Sequence, residues 1–526
     1  MTDSTSSRRA PWRSTVVRIG AAAAAAACII PLAACGGGAA SGATSSSGTS
    51  TLTIGYNGDP APQGYDPLLY SGGQRLFFES LYQPLFAQQA NGSVAPELVQ
   101  SFTYNASKTQ MTLKLKSGVK FTDGSTLTAQ LVKENLDRRS NPKLVSYGAF
   151  APHGAAEIKN VAAPDASTVV LTFAAPQANF QTELAGEPGM IIGQKGIANP
   201  ASLRTTPDGS GPYALGTAGT TAGSAYTLDR KSATAKATYP YSTVVYKVFV
   251  DAQARANAAV SGQIDVGLID PSTASQVQSG GTAVVKNGGT VLTILVFDKT
   301  GKTSKPFAST DVRLALNYAL NRAAFVAALH KGSHPTANAF PQKSAGYDPA
   351  LDAKYAYNPA KARQLLAAAG YPHGFSFNLV ISPDQQTDMQ VFQQQWQAVG
   401  VTMHLTVTTS TDQLFSSVLT QPLGYTPLGW TNEVGVTAGV LVGGFANLQK
   451  ATNPVITKAL GAAANAPGEA QAPALKTLNN ALVNEGWVIP VAEEYYYVSY
   501  NKSKVTTPVF PGLDNTPLLA SLRPAG

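Results

Sequence analysis

At 526 residues the chain is too long for a single hydrophobic core and should divide into domains. Its 44% hydrophobic content is globular, and charged residues, at 13%, are about half the usual share; small and hydroxyl residues fill the gap, which suits an exported protein with a nearly neutral surface. The formal charge of +8 falls to about +5 once four arginines and one aspartate ahead of Cys35 are set aside, and the remaining basic residues are scattered, so the stripe or aromatic-basic platform that nucleic acid requires is missing.

The first segment is a targeting signal. Arg8, Arg9, Arg13 and Arg18 form a positive stretch, and Ile19 to Ala34 is apolar and uncharged, short for a membrane span and right for a signal core. It ends in Leu32-Ala33-Ala34-Cys35-Gly36, which looks like a bacterial lipobox, with Cys35 as the lipidated residue and 1–34 as the leader. The plainer reading is an ordinary secretory site with an incidental cysteine. Arg8-Arg9 is only half of a twin-arginine mark, because Ala10-Pro11 follows instead of an apolar pair. Both cysteines, Cys28 and Cys35, lie here, so the body is expected to have no disulfide, cysteine nucleophile or cysteine-based zinc site. Residues 35–50 form a Gly/Ser tether whose fifteen residues after Cys35 span about 20 Å. No later segment is apolar for long enough to cross a bilayer, which places the body outside the cytoplasm.

The body alternates strands and helices. Thr51 to Tyr56 reads as a strand, followed by a Pro/Gly-rich loop and a helix through Phe77 and Leu81. Met111, Leu113 and Leu115 alternate with polar residues, the mark of a half-buried strand. Ser117-Gly118 and Asp123-Gly124 are turn pairs, and Thr128 can cap a helix that buries Val132 and Leu136. Val244 to Val250 is a strand, and Asp251 starts an Ala-rich helix. Val291 to Phe297 is a strongly apolar strand, and Asp311 to His330 has the spacing of one amphipathic helix. Asn358-Pro359 opens a helix closed by Gly370. Met389, Phe392, Trp396 and Val399 form a core stripe, stopped by Gly400 before the strand Val401–Val407. The fold class is α/β.

Met111 to Leu136 resembles the signature of solute-binding proteins of the peptide/nickel family, which serve ABC importers. Leu113, Leu115, Gly118, Val119, Phe121, Asp123, Gly124, Leu127, Ala129 and Val132 carry the match, while Gln130 stands where an Asp is usual. Further matches follow in the family's order: Asp66-Pro67, Leu81 to Leu85, Gly209 to Tyr213, Asp265-Val266, Asp311, Arg313, Arg322 and Gly370-Tyr371-Pro372. The resemblance implies a periplasmic-binding-protein-like fold with two lobes and a hinge. Lobe I would comprise 51–85, 205–295 and 491–526, with an extra subdomain at 86–204, and lobe II 296–490. Val291 to Phe297 and Val488 to Asn501 would be the hinge strands. It also implies a monomeric lipid-anchored receptor, on the outer face of the cytoplasmic membrane, that hands a peptide-like solute to a permease without cofactor or catalysis.

Enzyme motifs fail on inspection. Gly301-Lys302-Thr303 is half a P-loop, with Val296 where its first glycine belongs. Gly435-Val436-Thr437-Ala438-Gly439 mimics a nucleophile elbow without an assignable base. His330 and His334 have metal-like spacing but flank Gly332 at a helix end. The resemblance points instead to Gly429-Trp430-Thr431-Asn432-Glu433, whose acid pairs a peptide amine in dipeptide-binding relatives, and to the turn Ser71-Gly72-Gly73, which contacts peptide backbone there. Trp430 is either core or a ligand wall, and Glu433 either an exposed loop acid or an amine partner. Relatives carry an arginine for the peptide carboxylate just before the helix equivalent to Thr387–Val399; here Ser382 to Gln386 offers none, though Gln385 or Gln386 could hydrogen-bond a solute. That departure leaves open a longer or capped peptide, an oligosaccharide or a metal chelate, and a tethered hydrolase is the alternative from another class.

Overall fold

The computed structural model describes residues 50–69, 74–140, 158–174, 176–232, 235, 237–430, 432–466 and 470–525. β1 is Thr51–Tyr56. The inserted region carries a ribbon, β2 (Phe86–Gln88) and β3 (Val94–Pro96), then β4 (Val99–Tyr104), β5 (Gln110–Leu115), β6 (Ile158–Asp165) and β7 (Thr168–Phe173), a sheet in the order 4-5-7-6. β8 (Tyr213–Leu215), β9 (Ala225–Arg230), β10 (Thr243–Val248) and β11 (Val266–Ile269) return to the sheet of β1. The long β12 (Ala283–Val296) leads to β13 (His334–Pro335), the parallel pair β14 (Phe375–Ile381) and β15 (Val401–Val407), then β16 (Leu423–Gly429) and the long β17 (Val488–Tyr500). One mixed sheet, ordered 16-12-17-11-1-10-9-8, unites the lobes, with β13 on β17.

The signature segment folds as its pattern dictates. Met111, Leu113 and Leu115 point into the subdomain's own core with Val132, Leu171 and Ile191. Thr128 Oγ1 accepts from Leu131 N at 3.1 Å and so caps the helix Ala129–Asp137. Asp123 accepts from Ser125 N at 2.7 Å and from Lys195 N at 2.8 Å, tying its turn to a neighbouring helix start. Gly209 and Gly211 lie against the chain at Leu81; a Cβ would fall 2.1 Å from Leu81 O at the first and 2.3 Å from Leu81 C at the second. Charged residues of the family pattern are also staples. Arg313 donates to Phe307 O, Gly486 O and Glu485 O at 2.7, 3.0 and 2.8 Å. Asp265 accepts from Thr53 N and Lys504 Nζ, both at 2.9 Å.

Two expectations change. The stretch Asp311–His330 is two helices, Thr310–Tyr318 and Arg322–Leu329. Asn321 breaks it by capping the second, its Oδ1 accepting from Ala324 N at 3.0 Å. The strand expected from Val291 begins at Ala283, because Gly288-Gly289 forms a bulge rather than a stop. Gly289 is required there: a Cβ would lie 2.0 Å from Leu513 O. β12 and β17 pair from Ala283–Tyr500 to Leu295–Val488, one long ribbon in the middle of the sheet. Two separate cores hold the second half of the chain, Leu316, Phe392 and Trp396 in one and Phe340, Trp430 and Leu478 in the other. Each such large side chain contributes about 2 kcal/mol.

Candidate ligand cleft

The site grows from the end of β16, an edge strand. Trp430 N donates inward to Gly289 O at 2.8 Å, so strand alternation turns the N–H and C=O of Gly429 outward. Beside Gly429 there is open space, since a Cβ there would meet nothing within 4 Å. The Trp430 ring is buried against Phe340, 4.7 Å between centroids. Its Nε1, like Thr437 Oγ1, has no hydrogen-bond partner among the described residues. Asn432 Oδ1 accepts from Gly435 N at 3.0 Å and caps the helical turn Glu433–Val436.

The inserted subdomain reaches this point. Asn432 Nδ2 donates to Glu183 Oε1 at 2.5 Å, and Asn179 Nδ2 to Ala464 O at 3.5 Å. Burial pushes the Glu183 carboxyl above its ordinary range against the opposing charge of Arg139. Burial likewise lowers Arg139, whose Nη1 finds no hydrogen-bond partner among the described residues. Glu433 is half-buried and accepts from Ser344 Oγ at 2.6 Å. No ion pair reaches it among the described residues, and burial raises its pKa, offset in part by Ser344 and its own N–H. Glu433 is thus a carboxylate without an ion-pair partner among the described residues, joined to Ser344 alone, while Arg139 faces the Glu183 carboxyl that Asn432 contacts.

Other sequence candidates have definite places. Ser71, Gly72 and Gly73, like Cys35, lie outside the described residues. Gln385 uses both ends of its amide within the protein: Oε1 accepts from Ser382 N at 3.1 Å and Nε2 donates to Tyr425 O at 2.6 Å. Gln386, half-buried, opens the helix Gln386–Gln397. The half P-loop wraps an anion of its own. Gly301 N, Thr303 N and Ser304 N each donate to Asp298 at 2.7 Å, and Lys302 N at 3.0 Å; burial opposes the charge, but these donors outweigh it and hold Asp298 down at about 2. His330 and His334 take separate partners. His330 Nε2 is 2.9 Å from Asp388 Oδ2, and Nδ1 is 3.3 Å from Glu494 Oε1. Burial lowers this imidazole's pKa, but the two acids together raise it to about 9. Tyr425 OH donates to Asp388 at 2.7 Å. His334 Nε2 instead lies 3.1 Å from the Gln342 amide. Among the described residues no group of three His, Cys, Asp or Glu is set for a metal ion.

Sequence reasoning missed Arg139, Glu183 and Ser344. Arg138-Arg139 reads locally as a basic helix end, and Glu183 meets Asn432 across 249 residues of chain. Local pattern carries no signal for such a meeting.

The sheet order, paired lobes and long ribbon define a binding protein of the periplasmic type, and solved structures share that fold. AgaA from A. tumefaciens R10, in complex with agropinic acid, superposes with a TM-score of 0.75 at 22% identity over 90% of this chain and 99% of that one. DppA from Helicobacter pylori, in complex with the peptide STSA, gives 0.72 at 17% identity over 90% and 98%. Residues 93–447 match the bacterial extracellular solute-binding proteins, family 5, and the chain belongs to that family of binding receptors. The glutathione-binding protein GsiB of Pectobacterium atrosepticum is 30% identical over 341 residues, 62% of this chain, and the matched stretch spans 63% of that relative's length. No helix among the described residues is long and apolar enough to cross a membrane.

Proposed function

We propose that this chain is a monomeric receptor that closes its lobes on a peptide-like solute and delivers it to an ABC import permease. Glu433 carries the reading: a half-buried carboxylate without an ion pair among the described residues, three residues beyond the buried Trp430 and just past the end of the edge strand β16. Burial of such a charge is costly until a partner arrives, and a solute amine supplies one. An extended backbone would pair with the outward groups of Gly429 as an added strand. Arg139, whose Nη1 has no hydrogen-bond partner among the described residues, is our candidate for a solute carboxylate, the role left vacant before the helix Gln386–Gln397. Bound solute stabilises the closed lobes about β12 and β17, and the permease reads that population shift. Names of relatives, for glutathione and for a bound peptide, agree with this class. The agropinic acid complex of AgaA favours a second reading, a non-peptide solute carrying the same charged groups.

Calorimetry with short peptides tests the site: free-amine peptides bind, and their N-acetylated forms bind at least tenfold more weakly. Equal binding of both forms removes the role of Glu433. We also place a lipid anchor at Cys35, with the body outside the cytoplasmic membrane. Cell fractionation of Cys35→Ala checks this, and an unchanged membrane-bound fraction contradicts it.

A further inference from the structure

A cavity of about 260 Å³ lies at the opposite edge of the hinge ribbon. β17 pairs with β12 along one side. On the other it pairs with β11 from Tyr497 onward, and with β13 at Ala492 and Glu493 alone. Residues 494–496 therefore face an opening in the sheet between the two lobes, and the cavity occupies it. Lobe I contributes Asn57 and Asp270, which follow the parallel strands β1 and β11. Open α/β sheets bind ligands at such carboxyl ends. The hinge contributes Glu494 and Tyr496. The volume far exceeds what one water needs.

The lining has more negative charge than its own cations neutralise. Arg255 is committed: its guanidinium donates to Phe249 O and Leu268 O and faces Asp270 and Asp251. Lys286 stacks on Tyr495 at 4.3 Å and faces Glu493. Glu494 and Asp388 share one imidazole, His330. Oε2 of Glu494 has no hydrogen bond among the described residues, its partner being taken through Oε1. Tyr496 is 38% exposed, with its hydroxyl held by Thr290 Oγ1 at 3.2 Å, and presents a ring to the opening. A surplus carboxylate beside an aromatic ring attracts a cation and disfavours an anion.

We propose that this cavity is a subsite that selects a basic side chain, ammonium or guanidinium, on the solute. The proposal rests on the solute-receptor reading above. It makes Glu494 the charge partner and Tyr496 the aromatic wall, with His330 holding the Glu494 carboxylate in place.

Calorimetry on the purified protein with peptides of equal length tests it. Arginine at one position is compared with citrulline, its uncharged isostere, and with glutamate. The arginine peptide should bind at least tenfold tighter than the citrulline peptide and a hundredfold tighter than the glutamate peptide. In Glu494→Gln the arginine-to-citrulline ratio falls to about one, and in Glu494→Lys the order reverses in favour of glutamate. Unfolding temperatures of the variants confirm that they are folded. Equal affinities across the panel in the unmodified protein, or an arginine preference that persists in Glu494→Gln, overturns the subsite and leaves the receptor reading standing. Absence of binding by every peptide rejects the peptide reading and the subsite with it.

Discussion

Asp298 and Glu433 are both carboxylates that follow strands of the central sheet, β12 and β16, and their surroundings are opposite. The first collects backbone N–H groups from Gly301, Lys302, Thr303 and Ser304 and is held at about 2. The second has one hydroxyl partner, Ser344, and burial pushes it up. One loop is electrostatically complete; the other is not. The loop that looks like an anion cradle in sequence is filled by its own chain. The segment that the resemblance singles out leaves an acid without an ion pair, and an indole N–H and a threonine hydroxyl without hydrogen bonds, among the described residues. Native interiors rarely keep such groups without a reason. Incomplete satisfaction, not motif similarity, separates the two regions.

Substitutions should divide along the same line. Asp298→Asn gives the largest stability loss, about 2 kcal/mol at neutral pH. Its folded pKa of about 2 lies below the unfolded value, so the contribution is present above pH 4 or so and disappears as pH falls through about 2. Chemical denaturation of both proteins across that window measures it. A constant gap down to pH 2 would place the loss elsewhere. Thr128→Ala, in the signature segment, removes the cap from the helix Ala129–Asp137 and should cost about 1 kcal/mol without changing solute affinity. His330→Gln has a smaller effect, visible as pH dependence. The folded imidazole titrates at about 9, above its unfolded value, so its contribution is complete below pH 6.5 or so and is lost as pH rises through 9. The unmodified protein should lose stability over that interval, and His330→Gln should lose less. Glu433→Gln should be the mildest of all for stability, neutral or slightly stabilising near pH 7, because the native site disfavours the charge. A clear drop in unfolding temperature would make Glu433 a structural acid like Asp298.

Much of the fold was legible because its signals are local. Alternation at Met111 to Leu115, the Thr128 and Asp251 caps and the stop at Gly400 each fix geometry within a few residues. Where tertiary context decides, the pattern misleads. Asn321 breaks a stretch whose apolar spacing is continuous, and Gly288-Gly289 extends a strand that composition would end. Of the candidate site, the resemblance pointed to Trp430 through Glu433, and the structure puts there a buried ring, a capped turn and an acid without an ion pair among the described residues. Arg139, Glu183 and Glu494 were invisible, since their meaning comes from elements far apart in the chain.

We propose that Glu433 awaits a solute amine. Calorimetric titration of a free-amine peptide into the unmodified protein and into Glu433→Gln tests it most directly. Loss of one partner of a desolvated charge pair costs at least about 2 kcal/mol, so affinity should fall roughly thirtyfold or more while the variant unfolds at the same temperature. Equal affinity for both proteins would contradict the account.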